Sequence, residues 1–495
     1  MMKPSKYQQD IYDVFCNTEE NINISAVAGS GKTTVLVELL KFIPDDKNAL
    51  FVAFNNSIVD ELKKRVENKR NVEISTIHSF GWRSILCRYG NKVKMNPNKV
   101  LSKVEATLKE YEGKTQKRSY YFYIIPKIID LMRCNLINPN KEDLMKMSLY
   151  YDIDIDEFEA ELALKVFEKM NRDKSQFDFM DMIYQPIVDA HIRLQKYDFV
   201  FCDESQDFSK AQQEIIRRSL NRKGRLITVG DEHQGIYGFA GADADSYSKL
   251  SELNGTSKSM PLSVCYRCSK SVIQEAQKIV PEISYAPGAE DGDVKLGSMR
   301  EHLQQGDWIL CRNLKPLIQT YLWLMKNKVK SKVKGKDIGE GILAMINKTG
   351  ARTLNVMWVL LEQQKDKLYT KLKNRGVKRP SVHPKMELFE QRLEVIECLM
   401  DEVADVAGLK TLIGNIFADE IKGIMLSTIH KAKGLENERI FFICPELIPS
   451  RYATTDWMLQ QERNLMYVAI TRAKENLVYV LESDFKKDIK STISI

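Results

Sequence analysis

Much that would narrow the function of this 495-residue chain is missing from it. No stretch approaches the roughly 18 consecutive apolar residues of a membrane-crossing helix, which excludes a bilayer-spanning reading. The opening MMKPSKYQQD lacks the apolar segment of a secretion signal, so the expectation is a cytoplasmic protein with no membrane partner. Nine cysteines, at 16, 87, 134, 202, 265, 268, 311, 398 and 444, are scattered and odd in number, which argues for reduced thiols over a disulfide framework. Cys265 and Cys268 form a lone C-x-x-C that no second pair and no clustered histidine completes into a zinc site. Strong charge of either sign is lacking too. A formal +7 permits a polyanionic partner without requiring one.

What is present is organised around Ala26 to Thr34, AVAGSGKTT. The apolar run Ile22 to Val27 enters this turn as a buried parallel strand, and Val35 to Leu40 leaves it with helical spacing. Gly29 and Gly31 let backbone N–H groups of the Ala28–Gly31 turn, Ser30 included, converge on an anion. The helix N-terminus adds its dipole, Lys32 a point charge and Thr33 a hydroxyl for Mg²⁺. This is a phosphate-binding loop, with Ala26 where the general pattern has its first glycine.

In chain order, Pro4 to Phe15 reads as a short helix carrying Gln8, whose amide could meet an adenine edge. A second buried strand spans residues 49–54, a helix spans 57–68, and residues 72–80 alternate as a third strand ending in a polar turn. This β-α-β-α order predicts a parallel sheet whose ligands lie at the C-terminal strand ends, near Phe54, Asn55, Asn56, Thr76 and His78. Residues 91–176 change to charged amphipathic helices and read as an insertion. Within it, Lys114 to Tyr123 interleaves basic and aromatic residues, which suits either base stacking or a core-facing stripe. The sheet resumes at Tyr197 to Cys202 and delivers Asp203 and Glu204, one acid for Mg²⁺ and one for the attacking water. Residues 226–231 form a further strand leading to Gln234, Tyr237 and Phe239.

A second block opens near Leu262 with Cys265-Tyr266-Arg267, and Trp308 to Cys311 is another strand. Lys326 to Lys336 alternates lysine with apolar or small residues, so as a strand it projects one basic face. That face is either a solvated edge or a phosphate-tracking stripe. Residues 337–414 read as a second helical insertion. The end of the chain carries His430 and Glu436, a strand at 439–443, a helix ending beside Arg472 and a last strand at 476–481. No further domain is expected after it.

The ordered set AVAGSGKTT, VAFNN, STIHSF, CDESQD, VGDEHQGIYGFAGA, CYR, STIHKAKGLE and RNLMYVAITRAK, with Gln8 ahead of it, resembles the UvrD/Rep-like branch of superfamily 1 DNA helicases, in a compact, phage-type size. The resemblance implies an α/β fold of two RecA-like P-loop domains, each with a mainly helical insertion and with ATP in the cleft between them. On this reading residues 1–90 and 177–258 form the first domain, 91–176 its insertion, 259–336 and 415–495 the second domain, and 337–414 the second insertion. It implies Gln8 on adenine, Lys32 on the phosphates, Thr33 and Asp203 on Mg²⁺, and Glu204 on the water. Gln234, Arg267 and Arg472 would reach the γ-phosphate, Tyr266 the adenine and Glu436 the ribose. Phe54, Asn56, Thr76, His78, Tyr237, Phe239 and His430 would contact DNA.

Activity would be ATP- and Mg²⁺-dependent movement 3′ to 5′ on single-stranded DNA and at strand junctions, beside replication or repair proteins in the nucleoid or a phage host's cytoplasm. Thr34 stands where the family usually has arginine after its P-loop threonine, Phe239-Ala240-Gly241 replaces W-R-G, and CYRC replaces N-Y-R-S, which fits Cys265 and Cys268 as small packing residues. A translocase that displaces proteins, an inactive nucleic-acid-binding scaffold and an NTPase acting on RNA or a small molecule are the alternatives.

Overall fold

The computed structural model describes residues 4–493 except 54–55, 67–68, 112–117, 152, 154, 237–249, 251–256, 375–379 and 418–422. For 56–57, 118–120, 123, 382 and 384 it describes the backbone alone. The chain divides into two compact units, Met1–Ser263 and Val264–Ile495.

The first unit is built on strands β1 (Asn21–Ala26), β2 (Ala49–Ala53), β3 (Val72–Thr76), β6 (Tyr197–Cys202), β7 (Leu220–Gly230) and β8 (Ser257–Leu262). They form one sheet in the order β3-β2-β6-β7-β1-β8, with parallel pairing throughout. Both faces are covered, as near-continuous apolar strands require. Along β2, Ala49, Phe51 and Ala53 face one core with Ile11, Phe15 and the P-loop helix residues Val35, Leu36 and Leu39. Leu50 and Val52 face the other, with Ile77, Phe80, Val200 and Ile215.

Two expectations shift here. β3 ends at Thr76, and the helix Ile77–Tyr89 starts at once, where residues 72–80 read as strand. The Thr76 hydroxyl accepts the Ser79 N–H at 3.2 Å and so caps that helix. The change of unit also falls after Ser263, past residue 258, because β8 pairs along all of β1.

Residues 94–95 (β4) and 176–177 (β5) pair as a short clasp around the first insertion. Between them, helices Lys99–Leu108, Arg118–Asn135, Lys141–Tyr150 and Glu157–Arg172 enclose a core of their own, with Val104, Ile125, Ile128, Leu162 and Val166 at its centre. Tyr121 is buried in that core and Phe122 packs against it, so the described part of the basic-aromatic stretch packs inward. Where the insertion meets the returning chain, Lys99 holds Asp181 at 2.7 Å, and Arg133 holds Asp178 at 2.8 Å and Asp181 at 3.3 Å. These buried charges tolerate their loss of solvent because each is paired.

The second unit has strands β9 (Val264–Cys265), β10 (Ser284–Tyr285), β11 (Asp293–Leu296), β12 (Trp308–Cys311), β13 (Ser331–Val333), β14 (Ile424–Thr428), β15 (Asn437–Ile443) and β16 (Ala473–Val480). β9 and β10 pair with each other, and the other six form a parallel sheet in the order β11-β16-β15-β12-β14-β13. Its insertion, helices Lys336–Thr349, Leu354–Lys373, Pro384–Met400 and Val406–Ile416, shares the core of the sheet among the described residues. Ile342, Met357, Leu361 and Ile396 belong to the same apolar cluster as the sheet residues Ile309, Leu426 and Phe441. No helix among the described residues is long and apolar enough to cross a membrane.

Gly81 sets how closely the Thr76-capped helix approaches its neighbour, since a Cβ there would stand 1.8 Å from the Met182 carbonyl oxygen. Gly81→Ala gains about 1 kcal/mol of helix propensity and loses more, about 3 kcal/mol, to the forced separation of two backbones. The expected outcome is a net fall of several degrees in the melting temperature by calorimetry, and an unchanged or raised value would refute the close approach.

Candidate nucleotide and nucleic-acid sites

Three adjacent strands of the first sheet, β6, β7 and β1, end side by side, and the chemistry sits just past their carboxyl ends. After β1 the chain turns through Gly29 (φ 67°) and Gly31 (φ 81°), left-handed conformations that suit glycine, into the helix Lys32–Lys41. Ala28 and Ser30 are buried, and the Ser30 hydroxyl donates to the Val27 carbonyl at 2.9 Å, so this hydroxyl braces the turn. Gln8 reaches the same place. Its Oε1 accepts the Ser5 N–H at 2.9 Å, closing the capping box of the helix Lys6–Asn17. Its Nε2 lies 3.6 Å from where a Gly31 Cβ would stand. Thr34 is exposed at the start of the P-loop helix.

Lys32 Nζ is buried and has no hydrogen-bond partner, and its nearest carboxylate is Asp231 at 4.0 Å. An ammonium left in that state is costly, and a phosphate oxygen is the partner its place beside the glycine turn supplies. Thr33 Oγ1 donates to Asp203 Oδ2 at 2.8 Å, so a hydroxyl and a carboxylate already converge as a divalent cation's oxygen ligands do. Burial, with Glu204 adjacent, pushes the Asp203 carboxyl up to about 6, while Thr33 and Lys32 pull the other way. The residues present therefore fit both a nucleotide phosphate and Mg²⁺.

Glu204 adopts φ 53°, a left-handed conformation unusual for a residue with a Cβ. Its N–H donates to Asp203 Oδ1 at 2.9 Å, and Gln206 Nε2 donates to its Oε2 at 2.5 Å. The other end of the Gln206 amide accepts the Asp231 N–H at 3.1 Å. Asp231, its carboxyl pushed up by burial, in turn accepts Gln234 Nε2 at 2.7 Å. A continuous chain of contacts thus runs from Glu204 through Gln206 and Asp231 to Gln234. Sequence reading singled out the two ends and missed Gln206 and Asp231. The signal for Gln206 was its place two residues past Glu204, and for Asp231 its place at the end of an apolar strand.

In the second unit, Arg267 Nε pairs with Glu436 Oε2 at 2.5 Å, and Lys474 reaches the same carboxylate at 3.5 Å. Tyr266 is 47% exposed, open to a planar ligand. Arg472 is buried, with Nε donating to the Val468 carbonyl and Nη1 to the Leu435 carbonyl, each at 3.0 Å. It is not displayed at the helix end as its position in sequence suggests. Cys265 and Cys268 are buried small residues beside it, the Cys268 thiol lying 3.8 Å from the Thr471 carbonyl.

Of the residues assigned to DNA, Phe54, Tyr237 and Phe239 lie outside the described residues, and Asn56 opens the helix Asn56–Arg65. The others fall into a repeated arrangement. Ser75-Thr76-Ile77-His78 and Ser427-Thr428-Ile429-His430 are the same four residues, each at the end of a parallel strand. In both, the serine hydroxyl donates to the threonine carbonyl, at 3.1 and 3.0 Å, the threonine caps the next helix and the isoleucine is buried. Both histidines are held below their ordinary value, His78 by burial and His430, at about 4, by burial and by Arg312. Arg312 itself is paired with Glu462 of the helix Asp456–Ile470 and Glu387 of the second insertion, each at 2.9 Å.

Residues 7–254 match the UvrD/REP helicase N-terminal domain and residues 366–483 the UvrD-like helicase C-terminal domain. The chain belongs to the UvrD/Rep helicase family. Its two parallel sheets are the RecA-like cores of that family. Among its relatives, it is 24% identical to F-box DNA helicase protein 1 of Schizosaccharomyces pombe, over 95% of this chain and 56% of that protein. It is 28% identical to ATP-dependent DNA helicase PcrA of Staphylococcus epidermidis, over 53% of this chain and 38% of that one. A probable DNA helicase of Mycoplasma pneumoniae is 23% identical over 94% of this chain and 81% of its own length. The chain spans about half or less of the first two.

Two outcomes follow from this geometry. Gln206→Ala removes the amide that links the Glu204 carboxylate to the Asp231 N–H, so steady-state nucleotide turnover should fall about tenfold to a hundredfold, while the nucleotide Kd stays within about threefold. Equal loss in both would mean that Gln206 only stabilises the fold. His430 stays neutral in the folded chain down to about 4, whereas the unfolded chain takes up a proton below about 6.5. Its depressed value therefore costs stability as pH falls from about 6.5 towards 4 and costs nothing above that range. In paired melts, the advantage of wild type over His430→Gln should narrow between pH of about 7.5 and about 4.5. A constant difference would show that the imidazole is not desolvated.

Proposed function

We propose that this chain is an ATP-dependent motor that moves 3′ to 5′ on single-stranded DNA and separates strands at junctions. The observation that carries this reading is the buried, unsatisfied Lys32 ammonium beside the joined Thr33 and Asp203, in a chain that belongs to the UvrD/Rep helicase family. Lys32 neutralises the β- and γ-phosphates, and Thr33 and Asp203 would hold Mg²⁺, which would supply charge neutralisation at the phosphates. Glu204, oriented by Gln206, positions the attacking water, and Gln234 senses the terminal phosphate. Gln8 and Tyr266 take the adenine and Glu436 the ribose.

Arg267 and Arg472 belong to the second unit, so turnover requires that unit to contribute to the transition state. Both arginines are engaged in their own unit, Arg267 with Glu436 and Arg472 with backbone carbonyls, so reaching a phosphate means exchanging those partners. Neutral His78 and His430 serve as hydrogen-bonding groups for the strand rather than as charges. A motor on DNA places the chain inside the cell, with the nucleoid or with the DNA of a phage in its host.

Lys32→Ala and Glu204→Gln should each lower DNA-stimulated ATP hydrolysis by at least about a hundredfold. Retained turnover in both would sink the motor reading. Stimulation should be stronger with single-stranded DNA than with RNA of the same length. Forked substrates should open from a 3′ tail, and preference for a 5′ tail would reverse the polarity. ATP-dependent removal of a bound protein without opening of the fork would replace unwinding by translocation.

A further inference from the structure

The C-x-x-C at the opening of the second unit has no part in the nucleotide chemistry above. Cys265 ends β9, and the chain bends over Tyr266, Arg267 and Cys268 before the helix Lys270–Ala276 begins. This bend is clamped at both ends. The Cys265 carbonyl accepts the Ala286 N–H at 3.1 Å, and the Ser269 N–H donates to the Lys474 carbonyl at 2.6 Å. Of the two side chains between the cysteines, Tyr266 is exposed and Arg267 is half-buried against Glu436.

Both cysteines are buried, and their sulfurs are hydrogen-bonded to each other. The Cys265 sulfur also accepts the N–H groups of Arg267 and Cys268. These donors, the Cys268 thiol first, hold Cys265 below the ordinary thiol value against the effect of burial. Cys268 moves the opposite way, because it is the one that keeps its proton. Its S–H has a second acceptor within reach, the Thr471 carbonyl at 3.8 Å. The pair thus flanks Arg267 and touches the residue before Arg472.

Packing alone does not account for this. The buried thiols of Cys134, Cys202, Cys311 and Cys444 are all pushed up by burial, as inert core thiols are. Cys265 is buried as fully and differs in having three donors converge on its sulfur. Such donors stabilise the thiolate, which is the form that attacks peroxides and disulfides. Burial favours a water-sized oxidant over a bulky one. β9 and β10 pair over two residues each, so the strand that ends at Cys265 is held by a short ladder.

We propose that Cys265 and Cys268 are a dithiol that a peroxide closes to a disulfide, and that the closed ring restrains Arg267 from exchanging Glu436 for a phosphate. The Cys265 thiolate attacks one oxygen of hydrogen peroxide, the O–O bond breaks, and the departing hydroxide takes up the proton that the thiol gave up. Cys265 is then a sulfenic acid. The Cys268 sulfur attacks it, the S–S bond forms as the S–O bond breaks, and the leaving hydroxide carries off the Cys268 proton as water. Two thiols are oxidised by two electrons, and one peroxide is reduced to two waters. The thiol chemistry stands apart from the reading of the chain as a motor, and the effect on Arg267 rests on it.

The test treats the full chain with hydrogen peroxide, blocks remaining thiols with iodoacetamide and maps the tryptic peptides by mass. Trypsin cuts after Arg267, so the disulfide should appear as residues 259–267 joined to residues 268–270, a product that dithiothreitol separates. It should form before Cys134, Cys202, Cys311 or Cys444 reacts. In parallel, DNA-stimulated ATP turnover should fall at least about tenfold as the linked peptides accumulate, and dithiothreitol should restore it. Cys265→Ala, shown folded by its melt, should give no linked peptides and keep its own turnover through the same treatment. If wild-type Cys265 and Cys268 both remain open to alkylation once the chain is unfolded, or react no sooner than the other buried thiols, they are packing residues and the proposal falls. A disulfide that forms with turnover unchanged would overturn the restraint on Arg267. A wild type without turnover before treatment would remove the motor reading, and the linked peptides would still decide the thiol chemistry.

Discussion

The site of the first unit is organised around a buried Lys32 ammonium that no protein group hydrogen-bonds among the described residues. The nearest acid stands 4.0 Å away, too far to complete its shell, and burial raises the carboxyls of Asp203 and Asp231 around it. Each group is therefore worse solvated than in the unfolded chain, and the shortfall is made up by packing elsewhere. That packing is the two-faced core of the sheet, which fixes β6, β7 and β1 as neighbours and so fixes the acids opposite the P-loop. A site preorganised at this cost suits a polyanionic phosphate and a divalent cation, since both would remove the unfavourable terms at once.

Legibility in the sequence followed the range of the interactions. The P-loop, the strand delivering Asp203 and Glu204, and the strand leading to Gln234 are local signals, and the structure has those elements in those places. The end of β3 was misread because Val72 and Ile74 alternate like a strand, whereas Ile74, Ile77 and Phe80 are three apart, a helical spacing that a short window blurs. Gln206, Asp231 and Arg312 act through partners that only folding brings near them: Gln206 meets β7's end, and Arg312 meets residues 75 and 150 positions away. Arg472 shows the limit from the other side. Its place in the motif is plain from sequence, but the carbonyls that occupy its guanidinium are not.

The repeated Ser-Thr-Ile-His shows why such a motif recurs in both sheets. A parallel strand that passes directly into a helix leaves the first helical N–H groups without partners, and threonine supplies the cap. Isoleucine then anchors the first turn in the core, and the next position is carried to the rim at the carboxyl edge. The histidine's position thus follows from the cap and the anchor that precede it. Burial holds the His430 imidazole below its ordinary value, so it stands there as a neutral hydrogen-bonding group.

The two insertions are attached on different physical terms. The first encloses a core that Tyr184 and Leu136 connect to the sheet unit, and paired charges, Lys99 and Arg133 with Asp178 and Asp181, hold one geometry at the same join. The second shares its core with the second sheet, and its Glu387 completes the shell of Arg312, which also holds Glu462 on the helix leading to Arg472 and adds to burial in lowering His430. A displacement of the Pro384–Met400 helix must therefore alter either that ion pair or the apolar cluster beneath it.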